Sequence, residues 1–178
     1  RKEFALSKEV KRATVHIAGM GLYELFINGQ RIGDQVLAPA PTDYRKTILY
    51  NTYDVTPQLR KENAIGVTLG NGRFYTMRQN YKPYKIPTFG YPKLRLNLIV
   101  EYMDGSKETI ATNTSWKLTT EGAIRSNNEY DGEEYDARKE LGNWTQSGYD
   151  DKSWIAAQRV SIPSGTLRAQ IMPGMKVM

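Results

Sequence analysis

Residues 23–72 read YELFINGQRIGDQVLAPAPTDYRKTILYNTYDVTPQLRKENAIGVTLGNG, and this stretch decides the fold. The apolar run Leu25-Phe26-Ile27 leads into Asn28-Gly29 and then Gln30-Arg31-Ile32. A two-residue type I′ turn needs positive φ at both central positions, which Asn and Gly tolerate, so the segment is predicted to be a β-hairpin. Lys46 to Asp54 places Ile48, Tyr50 and Thr52 on one side and Leu49, Asn51 and Tyr53 on the other, the pattern of a strand partly covered on both faces. The segment Tyr53-Asp54-Val55-Thr56-Pro57 ends this strand with an N-cap residue and a proline suited to the first position of a short helical turn. Glu62-Asn63 then reverses the chain into a strand at Ala64-Ile65-Gly66-Val67. Strand, tight turn, long loop and two further strands in this order predict a β-sandwich.

Working outward, strands dominate. Lys2 to Leu6 and Lys11 to Ala18 alternate, the second placing Ala13, Val15 and Ile17 on one face against Thr14 and His16. His16, the single histidine, is read as an exposed strand residue, since no carboxylate or nucleophile is placed beside it to orient a base. Leu94 to Tyr102, the turn Met103-Asp104-Gly105-Ser106 and Lys107 to Thr112 form a second hairpin, with Ser115 to Thr119 expected to pair alongside. The fold class is all-β, a jelly-roll β-sandwich of the galactose-binding-like kind with short helical turns.

Composition narrows the function. A length of 178 residues predicts one domain over 1–178, with 124–178 as connector strands. No cysteine is present, which removes disulfides, thiolate nucleophiles and cysteine zinc sites. The formal charge is +6, but lysines and arginines are scattered among acids, so no nucleic-acid face is expected. Apolar runs fall far short of a membrane span, and the start RKEFALSKEVKRA lacks the apolar core of a secretory signal, so no membrane partner is expected and the chain reads as a piece excised from a longer polypeptide. Gly19-Met20-Gly21 lacks the third glycine of a phosphate loop.

Two segments carry candidate chemistry. Asn71 to Pro92 shows no period and is rich in aromatic residues, among them Phe74, Tyr75, Tyr81, Tyr84, Phe89 and Tyr91, beside Arg73, Arg78 and Asn80. Such rings can stack on sugars, or they can cap the sandwich or pack on a neighbouring domain. The second segment holds Glu129, Asp131, Glu133, Glu134 and Asp136. Paired carboxylates can hydrolyse a glycosidic bond, close-spaced oxygens around Asp131-Gly132 can hold calcium, or the acids can cap turns and pair with Arg138 and Lys139. The spacing does not match the EF-hand pattern. Trp144 and Trp154 are read as hydrophobic plugs.

The pieces ELFINGQRIGD, PTDYRKTILYNTYDVT, ENAIGVTLGNGRFY and YDGEEYDARKELGNW resemble, in order, the N-terminal β-sandwich domain of bacterial α-L-rhamnosidases of glycoside hydrolase family 78. The resemblance covers the whole chain. It implies a non-catalytic accessory domain of an enzyme that hydrolyses terminal α-L-rhamnosides, supporting a catalytic α/α barrel of the same polypeptide, with a periplasmic or secreted location. It also implies that some relatives carry a calcium-dependent rhamnose site in this domain. The matching candidates are Asp43 and Tyr44 in the PTDYR loop, with Asn71, Arg73 and Tyr75 after the ENAIGVTLG strand. Arg73 stands where many relatives have an aromatic residue, and Ala40-Pro41 replaces a Gly-Trp type pair, so a stacking face would come from Tyr44, Phe74 or Tyr75. The alternatives are a free-standing, calcium-dependent lectin-like module binding a rhamnose-containing glycan, and a purely architectural domain in which the TDY and GNG loops pack on each other.

Overall fold

The computed structural model describes residues 1–76 and 88–177. The strands in chain order are β1 (Lys2–Ala5), β2 (Val10–Met20), β3 (Leu22–Ile27), β4 (Gln30–Ile32), β5 (Thr47–Asp54), β6 (Glu62–Gly70) and β7 (Lys93–Tyr102). They continue as β8 (Lys107–Ala111), β9 (Lys117–Leu118), β10 (Ile124–Asn128), β11 (Gly132–Tyr135), β12 (Ile155–Ala156) and β13 (Thr166–Ala169). Short 3-10 turns at Thr56–Gln58 and Ala137–Lys139 complete the elements.

Two sheets face each other, in the orders β13-β5-β2-β7-β8 and β1-β6-β3-β4, giving the jelly-roll sandwich that the sequence predicts. β13 runs parallel to β5, while β2, β5, β7 and β8 pair antiparallel. The Asn28-Gly29 turn has φ of 51° and 83°, the positive pair that type I′ demands. Asn28 is tied down further: its Nδ2 donates to the Gln58 carbonyl and to Asn63 Oδ1, and its Oδ1 accepts from the Ala64 N–H. The turn is thus fixed against the fully buried Asn63 at the start of β6.

The interior is filled from both sheets by Val15, Ile17, Leu25, Ile27, Ile65 and Leu98. Side chains alternate across a strand, so Ala18 and Met20 of β2 lie out of phase with Ile17 and face the outside of the five-stranded sheet. There they join Tyr44, Ile48 and Phe74 in a second apolar cluster. The sandwich therefore has a main core between its sheets and a smaller one under the loops at the Met20 end of β2.

One pairing differs from the sequence expectation. β9 does not extend the β7–β8 hairpin; it pairs with β12. The cause is local, because Asn113 Oδ1 accepts from the N–H and hydroxyl of Ser115 and the Asn113 carbonyl accepts from the Trp116 N–H, turning the chain away from the sheet. Trp116 is buried as a result.

Candidate functional site

Three segments meet beyond the C-terminal end of β2: the loop before β5, the loop after β6, and the β10–β11 hairpin. The backbone turns tightly at Asp43, whose carbonyl accepts from the N–H groups of Lys46 and Thr47 at 2.8 and 2.9 Å. This points Tyr44 inward. Its ring is 2% exposed and meets Phe74 and Phe89 edge-on at centroid separations of 4.9 and 5.4 Å. Phe74 and Phe89 stack at 5.5 Å, and Lys93 Nζ lies 4.7 Å from the Phe74 centroid. Burial pushes the Tyr44 hydroxyl up, partly offset by a hydrogen bond from the Gly21 backbone. The TDY and GNG loops thus pack on each other, and Tyr44 and Phe74 turn their faces to the protein rather than to solvent.

The polar candidates are also engaged. Arg45 closes a bidentate pair on Asp43 at 2.9 Å for both contacts, and that guanidinium holds the Asp43 carboxyl below the usual range. Asn71 is stapled to Asn127 of β10, its N–H donating to Asn127 Oδ1 and its Nδ2 to the Asn127 carbonyl, both at 2.7 Å. Arg73 Nε pairs with Glu129 Oε2 at 3.1 Å. Tyr75 is half-buried and stacks at 5.1 Å on Tyr91, whose ring is 74% exposed. Arg73, Tyr75 and Tyr91 are therefore the outward-facing members of this end. Arg78, Asn80, Tyr81 and Tyr84 lie outside the described residues.

The acidic cluster is dispersed along its hairpin rather than gathered. Glu129 goes to Arg73, Asp131 accepts from Asn128 Nδ2, and Glu134 accepts from the Ser126 hydroxyl. Asp136 caps the second 3-10 turn through the Arg138 N–H and pairs with the Arg138 guanidinium, which holds its carboxyl low. Glu133, on β11, is exposed. Lys139 reaches Glu121 instead, at 3.0 Å. Among the described residues, no group of three or more His, Cys, Asp or Glu side chains is placed to hold a metal ion. His16 donates to or accepts from the Thr52 hydroxyl at 3.0 Å, on the outer face of β2.

The tryptophans behave as plugs. Trp144 packs over Gly66 of β6, where an added Cβ would lie 2.7 Å from the indole, and its ring neighbours Phe26 and Trp154 at 6.0 and 6.1 Å. A clamp beneath them had no sequence signal. The Arg1 guanidinium, 1% exposed, binds Asp151, Glu3 and the carbonyls of Trp144 and Gln146, while Lys117 Nζ reaches Asp151 at 2.7 Å.

Comparison with known proteins matches residues 8–178 to the alpha-L-rhamnosidase N-terminal domain. An alpha-L-rhamnosidase of Formosa agariphila is 42% identical over 99% of this chain, which spans 19% of that protein. One of Streptomyces avermitilis is 40% identical over 89% of the chain, spanning 15% of its length. Among solved structures, an alpha-L-rhamnosidase from Dictyoglumus thermophilum superposes with a TM-score of 0.88 at 47% identity, covering 97% of this chain and 19% of that one. The Streptomyces avermitilis enzyme complexed with L-rhamnose gives 0.91 at 36% identity, covering 99% and 17%. A Pleurotus ostreatus lectin, at 17% identity and a TM-score of 0.53, shares the fold alone.

Proposed function

The chain belongs to the alpha-L-rhamnosidase N-terminal domain family, and on that premise we propose that it is a non-catalytic accessory domain that docks, through residues 155–177, on the catalytic domain of the same polypeptide. One observation carries this reading. The backbone of the C-terminal segment is held against the sandwich, while its apolar side chains face outward.

Thr166 N–H donates to the Lys46 carbonyl, Gln170 N–H to the Tyr50 carbonyl, and Val36 N–H to the Met175 carbonyl, and Lys176 pairs with Asp34. On this tethered frame Ile155, Val160, Ile162, Ile171, Met175 and Val177 remain more than half exposed. Six large apolar side chains left this exposed on one backbone-anchored segment support an interface reading over a solvated one. The curated relatives are five- to sixfold longer, the chain spanning 15–19% of their length, which supplies a partner within one polypeptide.

The carboxylates support a non-catalytic reading as well. Glycoside hydrolysis needs an acid and a base facing each other across a cleft. Here Asp43 and Asp136 each close on a cation two residues away, and Glu129 is held by Arg73. The test is turnover of an aryl α-L-rhamnoside by the purified chain. The expected rate is that of buffer, and sustained hydrolysis would overturn the proposal.

A second reading, a rhamnose-binding module, is favoured by the outward placement of Arg73, Tyr75 and Tyr91 at one end of the sandwich, an aromatic surface with a polar neighbour. Calcium as the bridge would have to displace Arg45 from Asp43, both of whose carboxylate oxygens that guanidinium holds at 2.9 Å. Calorimetric titration with L-rhamnose, with calcium and then with chelator, decides it. Saturable heat abolished by chelation supports the module; no heat in either condition leaves the architectural role.

A further inference from the structure

At the opposite end of the sandwich, where β2 begins, lies an open cavity of about 440 Å³. β2 has 11 residues, so at roughly 3.3 Å per residue this end is about 30 Å from the Tyr44 and Phe74 cluster. The cavity has an apolar floor of Leu6, Val10 and Leu59 and a rim of Lys8, Arg60 and Lys61. Its walls are the β1–β2 connection and the β5–β6 connection, joined by the Leu6 N–H to the Lys61 carbonyl at 2.9 Å. Leu6 is 4% exposed, so the floor is anchored in the main core.

The charges are placed to receive an anion. Among the described residues, the side chains of Arg60 and Lys61 make no hydrogen bond or ion pair, although both residues are fixed through their backbones. Lys8 shares Asp104 at 2.8 Å and Ser106 at 2.9 Å, an exposed pair that competes weakly with an incoming anion. Arg60 offers a planar fork suited to two oxygens of one carboxylate or sulfate. The apolar floor suits the C–H face of a ring carrying that anion. The volume falls within the range of small-molecule sites.

We propose that this cavity binds an anionic sugar residue, a pyranose bearing a carboxylate or a sulfate ester, with Arg60 and Lys61 taking the charge and Leu6, Val10 and Leu59 the ring. The choice of a sugar rests on the reading of the chain as part of a carbohydrate-processing protein. The cavity is lined by residues 6–10 and 56–61 and by none of the segment 155–177, so the two roles rest on different residues.

The test is amide NMR titration of the chain with methyl α-D-galacturonate, with glucose 6-sulfate and with neutral methyl α-L-rhamnoside. Saturable shifts at residues 6–10 and 58–61 with an anionic probe are expected, weakened about tenfold in the double variant Arg60→Gln/Lys61→Gln, whose remaining spectrum reports that the fold is kept. A response to one probe alone identifies the anion as carboxylate or sulfate, and a response to both makes charge the determinant. No saturable shift at about 10 mM of either anionic probe, equal binding of the neutral sugar, or an unchanged double variant would overturn the proposal. None of these outcomes touches the accessory reading, which is judged by turnover and by protection of residues 155–177.

Discussion

Asp151 receives Arg1 and Lys117 together, and this clamp ties the first strand to the segment carrying both plug tryptophans. Burial pushes the Asp151 carboxyl up, but the hydrogen bonds and charges of Lys117 and Arg1 pull it net below the usual value. A carboxylate depressed in the folded state adds stability above its unfolded pKa of about 3.9, and that contribution is lost as pH falls through the folded value. Asp151→Asn leaves the Arg1 guanidinium buried with one carboxylate fewer. The expected loss is about 3 kcal/mol in urea unfolding at neutral pH, with a smaller loss of stability on acidification than in the parent. Phe74→Ala, in the fully buried ring that seats Tyr44 and Phe89, is expected to cost about 3–4 kcal/mol in the same measurement. The sequence discloses contacts of this kind only when they are local. Asp136 with Arg138 is legible because two residues separate them, whereas Arg1 with Asp151 and Asn71 with Asn127 lie 150 and 56 positions apart and need the fold to bring them together. For the same reason Tyr44 reads from sequence as a loop platform, although the Asp43 turn buries it.

Strands and hairpins are legible wherever alternation or turn chemistry is strong. The buried set Ala13, Val15 and Ile17 and the Asn28-Gly29 turn come directly from period and positive φ. The partners of short strands are not legible: β9 lies within the predicted Ser115–Thr119 strand but pairs with β12, and β12 and β13, of two and four residues, are selected by tertiary partners. Asn28→Ala removes three side-chain hydrogen bonds and strains a residue at φ 51°, so a loss of about 2 kcal/mol is expected in thermal or urea unfolding. Gly165 precedes β13 and admits no side chain, because a Cβ there would lie 2.4 Å from the Tyr44 carbonyl oxygen. Gly165→Ala is expected to release β13 from β5, read as faster amide exchange at residues 166–170 with the β2–β7 pairing unchanged.

At the scale of the molecule, the sandwich presents three distinct surfaces: an aromatic end around Tyr75 and Tyr91, a basic cavity where β2 begins, and an apolar C-terminal segment laid across the β5 edge. The last is the surface through which the proposed docking would occur, and the chain spans 15–19% of the length of the curated relatives. Hydrogen exchange of residues 155–177 tests this most directly, comparing the chain alone with the longer polypeptide that includes the catalytic domain. Slower exchange across 155–177 in the longer protein, with residues 6–10 and 58–61 unchanged, is the predicted result. Equal exchange of 155–177 in both would contradict docking through this segment.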